Sequence, residues 1–584
     1  MLELEQGTLI GRIDTDYLGD SFYSFQSIPY AKPPIGDLRF KAPEPLEKWN
    51  GTWNATQIAP MCSQKIYHKF LGQEDCLYLN VYTKHLNPNG SSNGLTNVLF
   101  WIHGGFFTEG SGNPRQYGPH YLIHEDIVIV TINYRVGTFG FLSLPDTDLN
   151  IPGNAGLKDQ LLALKWVEKN IVYFGGDKDR VTLGGNDAGA ASVEYLMVSP
   201  KSRGLFNRVI LQSGNSQAYW AKGKPHSIAL AKLLEVAPKN LTERQAWEII
   251  NRANTGDILQ AQSLLIPETE AEGIIAPIIE SINSPSAIVT RTPQEVIEGK
   301  MFNALPYLTG YNSNEGIMAL FYYKLNPGSI PQTAADFELF LPEDMYITKG
   351  TEKSLRLAQK IKEFYFGNST PSMENIQKMF NVHTDVAFAY PVYKGAQLLS
   401  ANMPRPVYMY IFSQNSSLNF YKAQYDLKNL PGACHYDELG YIFSFTENAP
   451  KIERGSDLEF YIKRMCHLWG NFIRLGNPNG VHKNDFWNVT WLPATHNAFN
   501  YMNIDDELVP SIEPNKAAML FWDELYIEAL GETAVIITPE NVPDLTDELD
   551  ENESGGAISV YSNYFLLLVS FLCVQQFLSI FSIW

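Results

Sequence analysis

The stretch Arg180-Val181-Thr182-Leu183, running into Gly184-Gly185-Asn186-Asp187-Ala188-Gly189 and then Ala190–Val198, decides how this chain is read. A β-branched run, a glycine-rich corner and an alanine-rich, helix-compatible segment spell strand, sharp turn, helix. Working outward, Asn97–Ile102 and Ile127–Tyr134 read as buried strands, and Gly156–Asn170 reads as an amphipathic helix. Arg208–Gln212, Leu305–Gly310 and Pro406–Phe412 are further strand candidates, each followed by a polar loop. Apolar runs alternating with helical patterns predict an α/β fold with a large, mostly parallel sheet flanked by helices. In such a sheet functional groups gather beyond the carboxyl ends of the strands, which is where Asp187 falls.

The composition fits a large folded body. The chain has 584 residues, 45% hydrophobic and 13% aromatic, enough to bury a substantial core. Its net charge of −19 repels phosphate backbones and argues against nucleic acid as a partner. Five cysteines without a CxxC or Cys/His cluster indicate neither a disulfide-built scaffold nor a metal site, and no cofactor is expected. Cys62 and Cys76 bracket a short loop. Asn-x-Ser/Thr acceptors at Asn50, Asn54, Asn89, Asn240, Asn368, Asn415, Asn488 and Asn552 favour glycosylation and an extracellular address.

The two ends point in different directions. The opening MLELEQGTLIG has no basic segment and no apolar run, so no signal peptide is read in the sequence as given. At the other end, residues 564–584 form an uncharged apolar run, preceded by small residues at 554–557 and a short polar spacer. That order suits a glycolipid-anchor signal, with a C-terminal membrane helix as the alternative. The expected organisation is a catalytic-type domain over 1–538, an acidic stalk over 539–563 and the hydrophobic tail over 564–584. The expected address is the outer face of the plasma membrane, or secretion.

Several words of the sequence resemble type-B carboxylesterases of the cholinesterase-like family, with an insect-esterase flavour. Phe25-Gln26-Ser27-Ile28-Pro29-Tyr30-Ala31 is similar to the family's opening, and Glu74-Asp75-Cys76-Leu77-Tyr78-Leu79-Asn80-Val81 to its most recognisable strand. Asn133-Tyr134-Arg135, Gly153-Asn154-Ala155-Gly156-Leu157 and Gly476-Asn477-Pro478 extend the resemblance over nearly the whole body. It implies an α/β-hydrolase fold, a disulfide between Cys62 and Cys76, and a structural ion pair between Arg39 and Glu74. The words around Glu315 and His435 resemble those of the family's acid and base, so that Glu315 would orient His435. Gly105, Phe106 and Ala188 would supply the oxyanion hole.

One position departs from the pattern. Where the resemblance implies G-x-S-x-G, the chain reads Gly185-Asn186-Asp187-Ala188-Gly189, placing a carboxylate where a serine hydroxyl would attack. Losing the nucleophile of a serine triad lowers turnover by about a million-fold. The glycine expected in the oxyanion loop is Phe106, whose ring would either crowd the site or pack away from it. The loop Ser63–Gln73 has no tryptophan to hold a quaternary ammonium, so choline esters are not expected. The leading expectation is an esterase-shaped binding or adhesion ectodomain that takes an unknown protein or a small apolar ligand. The alternatives are residual ester hydrolysis, or an Asp-nucleophile hydrolase like the haloalkane dehalogenases and epoxide hydrolases.

Overall fold

The computed structural model of the protein describes residues 1–531, apart from 67, 236–239, 266–274, 321–334, 446–449, 482–485 and 496–497. Its centre is an eleven-stranded sheet. In chain order the strands are β1 (Arg12–Thr15), β2 (Ser21–Pro29), β3 (Tyr78–Thr83), β4 (Thr96–Ile102), β5 (Val128–Ile132), β6 (Gly176–Asn186), β7 (Arg208–Gln212), β8 (Tyr307–Asn312), β9 (Val407–Phe412), β10 (Asn500–Ile504) and β11 (Leu508–Ile512). Across the sheet they run β11-β10-β9-β8-β7-β6-β4-β5-β3-β2-β1.

The seven strands from β5 to β10 in that order pair in parallel, and antiparallel strands close both edges. Each predicted strand is present with its ends moved by a residue or a few. The antiparallel β1 and β2, and the β10–β11 hairpin, are additions. β4, β5 and β7 are almost wholly buried, as continuous apolar runs covered on both faces must be.

Helices α1 (Ala155–Asn170), α2 (Ala188–Val198), α3 (Asp457–Leu475) and α4 (Lys516–Leu530) are among those flanking the sheet. Two large apolar clusters result. One includes Val98, Phe100, Ile102, Leu164 and Val193, and the other Leu99, Trp101, Ile210, Phe472 and Trp469. Alternate residues of β4 enter different clusters, the strand period of two made visible.

Among the described residues no helix is long and apolar enough to cross a membrane. The stalk at 539–563, the small-residue site at 554–557, Asn552 and the tail at 564–584 lie outside the described residues.

Candidate functional site

Four loops at the carboxyl ends of neighbouring strands meet at one point. They follow β4 (residues 103–110), β6 (Asp187), β8 (Glu315) and β9 (His435). Asp187 occupies the corner between β6 and α2 with φ 53° and ψ −123°, a conformation that costs energy and persists only where the surroundings impose it. The surroundings are tight. A Cβ on Gly189 would stand 2.1 Å from the Ile102 carbonyl oxygen, and one on Gly185 would stand 2.5 Å from the Gly189 carbonyl carbon. Only glycine fits at either place, and the close approach locks the corner against β4.

The Asp187 side chain is fully buried. Its Oδ2 accepts hydrogen bonds from the Gly105 N–H at 2.7 Å, the Phe106 N–H at 2.9 Å and the Tyr436 hydroxyl at 3.0 Å. Gly105, Phe106 and Phe107 all have positive φ, so successive amides turn inward and form a cradle for an anion. Oδ1 is also buried and has no hydrogen-bond partner among the described residues. Ala188, expected as an oxyanion donor, begins α2 and is buried, but the donors to Oδ2 among the described residues are Gly105, Phe106 and Tyr436. The Asp187 side chain reaches this cradle from the corner after β6, and Tyr436 supplies the third donor.

Glu315 and His435 are brought together. The Nδ1 of His435 lies 2.6 Å from Glu315 Oε2; a carboxylate can only accept, so Nδ1 carries the proton. Glu315 Oε1 accepts from the Ser213 hydroxyl at 2.6 Å and the Asn312 N–H at 2.7 Å, which fixes its orientation. Burial works against the imidazolium of His435. The charge and hydrogen bond of Glu315, helped by Asp187 and Glu438, outweigh it and raise the pKa. The Nε2 of His435 is buried and without a hydrogen-bond partner among the described residues.

Aromatic rings cover this centre. Phe106 packs 5.5 Å from Trp220 and 6.1 Å from His435, so its ring lies over the histidine instead of turning away. Phe388 lies 4.5 Å from His435. His103 underpins the loop, its Nδ1 2.7 Å from the Gly104 carbonyl and its ring stacked 4.3 Å from Tyr134; burial lowers its pKa to about 4 and keeps it neutral.

Two contributors were not singled out from sequence. Tyr436 adjoins His435 in the motif that carries the histidine, but nothing local says that its hydroxyl reaches residue 187. Glu109 is the one acidic residue in 103–112, and burial, reinforced by Asp187, pushes its carboxyl up to about 7.

The remaining expected residues are structural. Arg39 meets Glu74 at 2.7 Å and donates to the Ala253 carbonyl at 2.7 Å, and Cys62 is bonded to Cys76. Asn50, Asn54, Asn89, Asn240, Asn368, Asn415 and Asn488 are all exposed. In the loop Ser63–Gln73, Phe70 is exposed and Tyr67 lies outside the described residues.

Comparison with known proteins adds the relatives. The family profile described as "Carboxylesterase family" matches residues 1–522. Esterase B1 of Culex pipiens is 33% identical over 551 residues, covering 90% of this chain and 98% of that protein. Juvenile hormone esterase of Tribolium castaneum is 34% identical over 514 residues, covering 82% of this chain and 84% of that one. The crystal structure of juvenile hormone esterase from Manduca sexta with OTFP covalently attached superposes with a TM-score of 0.78 at 26% identity, over 90% of this chain and 99% of that one.

Proposed function

Because the chain belongs to the carboxylesterase family, we propose that it keeps the esterase fold but has given up serine-ester chemistry, aspartate having replaced the attacking serine at position 187. One observation supports this reading above the others: Oδ2 of Asp187 sits on the amides of Gly105 and Phe106. An ester carbonyl needs those donors as its oxygen becomes an alkoxide. A carboxylate already there excludes it. His435 and Glu315 remain poised as base and orienting acid, but there is no hydroxyl for His435 to deprotonate, and attack by a carboxylate on an ester would leave an anhydride.

In this reading the protein works by binding a small apolar ligand or a partner protein. It is displayed on the cell surface by a lipid anchor attached near 554–557, and release from cells by a phosphatidylinositol-specific phospholipase tests that part.

The chemical part is tested on the purified chain with an activated aryl ester and an organophosphate label. The expected result is neither saturable turnover nor an adduct in the wild type, with both returning in Asp187→Ser, or in Asp187→Ser with Phe106→Gly if the ring blocks entry. Turnover by the wild type that disappears in His435→Ala sinks the proposal.

A second reading rests on the buried Oδ1 of Asp187 and Nε2 of His435, neither with a hydrogen-bond partner among the described residues. With Oδ2 cradled, Oδ1 is the oxygen that could attack carbon, expelling a halide or opening an epoxide to form an alkyl ester. Water deprotonated by His435 would then attack the ester carbonyl and release the alcohol. Turnover in 18O water supports this route if label enters Asp187, and absence of label eliminates it.

A further inference from the structure

At the β1 edge of the sheet two side chains of one turn and a third remote in sequence converge outside the site described above. Asp16 and Asp20 flank the turn between β1 and β2, which is closed by the Asp16 N–H on the Asp20 carbonyl at 2.8 Å. Asp16 Oδ1 accepts from the N–H groups of Leu18 and Asp20, both at 2.9 Å, and is committed to the turn. Asp16 Oδ2 is different. Its side chain is 0% exposed and the oxygen has no hydrogen-bond partner among the described residues. A buried carboxylate oxygen met only by charges at 3.6–3.7 Å and by no hydrogen bond is incompletely compensated, and its direction points to what would complete it.

That direction is toward Asp20 and His124. His124, in the single turn Leu122–Glu125, holds Nδ1 3.7 Å from Asp16 Oδ2 and 3.8 Å from Asp20 Oδ2. The three ligand-type atoms lie within 4.8 Å of one another. Lys84, just past β3, brings its ammonium to 3.6 and 3.8 Å from the same two oxygens. All four separations exceed hydrogen-bond length, so the groups surround a centre without closing on each other. Donor atoms 3.7 Å apart, each about 2.0–2.2 Å from a metal, subtend about 115–135°, near or wider than trigonal, so a bound cation would draw them somewhat closer together.

We propose that Asp16, Asp20 and His124 bind a borderline divalent cation of the Zn2+ class, with water completing the shell. One imidazole and two carboxylates are too few and too mixed for Ca2+, which takes six to eight oxygens. Charge agrees: one ammonium leaves two carboxylates a net charge short, whereas a dication balances both. Lys84 is the counter-charge of the empty site and swings toward solvent when the cation enters. Asp20 and His124 are 61% and 37% exposed at the side chain, so the centre is reachable.

The test is titration of Zn2+ alone into the chelator-treated full chain, followed by calorimetry and thermal unfolding. Saturable one-to-one binding is expected, with a melting temperature raised by a few degrees at about a hundred-fold excess over Kd. Asp20→Asn and His124→Gln, both at exposed positions the fold tolerates, should each weaken binding at least about ten-fold, and Lys84→Gln should tighten it. No saturable binding, an affinity unchanged in the double variant Asp20→Asn/His124→Gln, or equal affinity for Ca2+ overturns the proposal.

Discussion

Asp187 brings a carboxylate into a corner with no access to water, and burying such a group costs several kcal/mol unless hydrogen bonds replace hydration. Gly105, Phe106 and Tyr436 replace it at one oxygen only. Tyr436→Phe should therefore destabilise the wild type by about 1–3 kcal/mol, and by well under half of that in an Asp187→Ser background, where no carboxylate awaits the hydroxyl. Denaturant midpoints of the four proteins check this, and equal costs in both backgrounds would mean that Tyr436 acts through packing. The flanking words of the sequence were enough to pick out Asp187, Glu315 and His435. Tyr436 was not legible, because its role depends on which way a residue 249 positions from Asp187 points across the site.

Among the elements, one irregular turn does most to shape the centre. Residues Asp385–Ala389 form a π-helical turn between the helices Ile376–Thr384 and Tyr390–Asn402, and Pro391 at the start of the second removes a backbone donor just beyond it. The turn sends Phe388 against His435 and leaves the Ala387 carbonyl to accept the Trp220 indole N–H at 2.8 Å. Asp385 opens the turn, bonded to the Tyr365 hydroxyl at 2.8 Å, and burial pushes its carboxyl up to about 7. Between its ordinary pKa of 3.8 and about 7 the folded chain holds a proton that the unfolded chain has released. This contribution therefore favours folding at low pH and is lost as pH rises through 7. Relative to Asp385→Asn, the wild type should lose on the order of 2–3 kcal/mol between pH 5 and pH 8, read as diverging urea midpoints. Parallel midpoints would show that Asp385 keeps its charge in the fold. A π turn leaves no local signature, since it is one residue of extra register inside a helical pattern, and only packing on both sides shows where it falls.

For the molecule as a whole, ion pairs tie together segments that the sheet does not join. Arg39 reaches Glu74 at 2.7 Å, the Ala253 carbonyl at 2.7 Å and the Thr255 hydroxyl at 3.2 Å, so one guanidinium ties its own segment to two remote ones, at 74 and at 253–255. Arg135 with Asp159, and Lys158 with Glu280, do the same deeper in the fold. Arg39→Met should cost about 3 kcal/mol by leaving Glu74 without its partner, and Arg39→Met combined with Glu74→Leu should recover most of it. Thermal midpoints of the three proteins decide it: no recovery in the double variant would mean that the arginine matters for its backbone contacts and not for the pair.

The sequence alone determined where along the chain most of the parallel strands lie, the strand-corner-helix at Asp187 and the approximate ends of the main elements, but not the order of the strands across the sheet. Those depend on hydrophobic period and turn chemistry within a dozen residues. Where the Asp187 carboxylate goes is decided only by the tertiary structure, which brings in a loop 82 residues away and a hydroxyl 249 residues away. The same holds for the meeting of Asp16, Asp20 and His124. Hydrogen bonds and ligand shells act over about 3 Å in space, and no pattern along the chain records which distant side chains folding will bring within that reach.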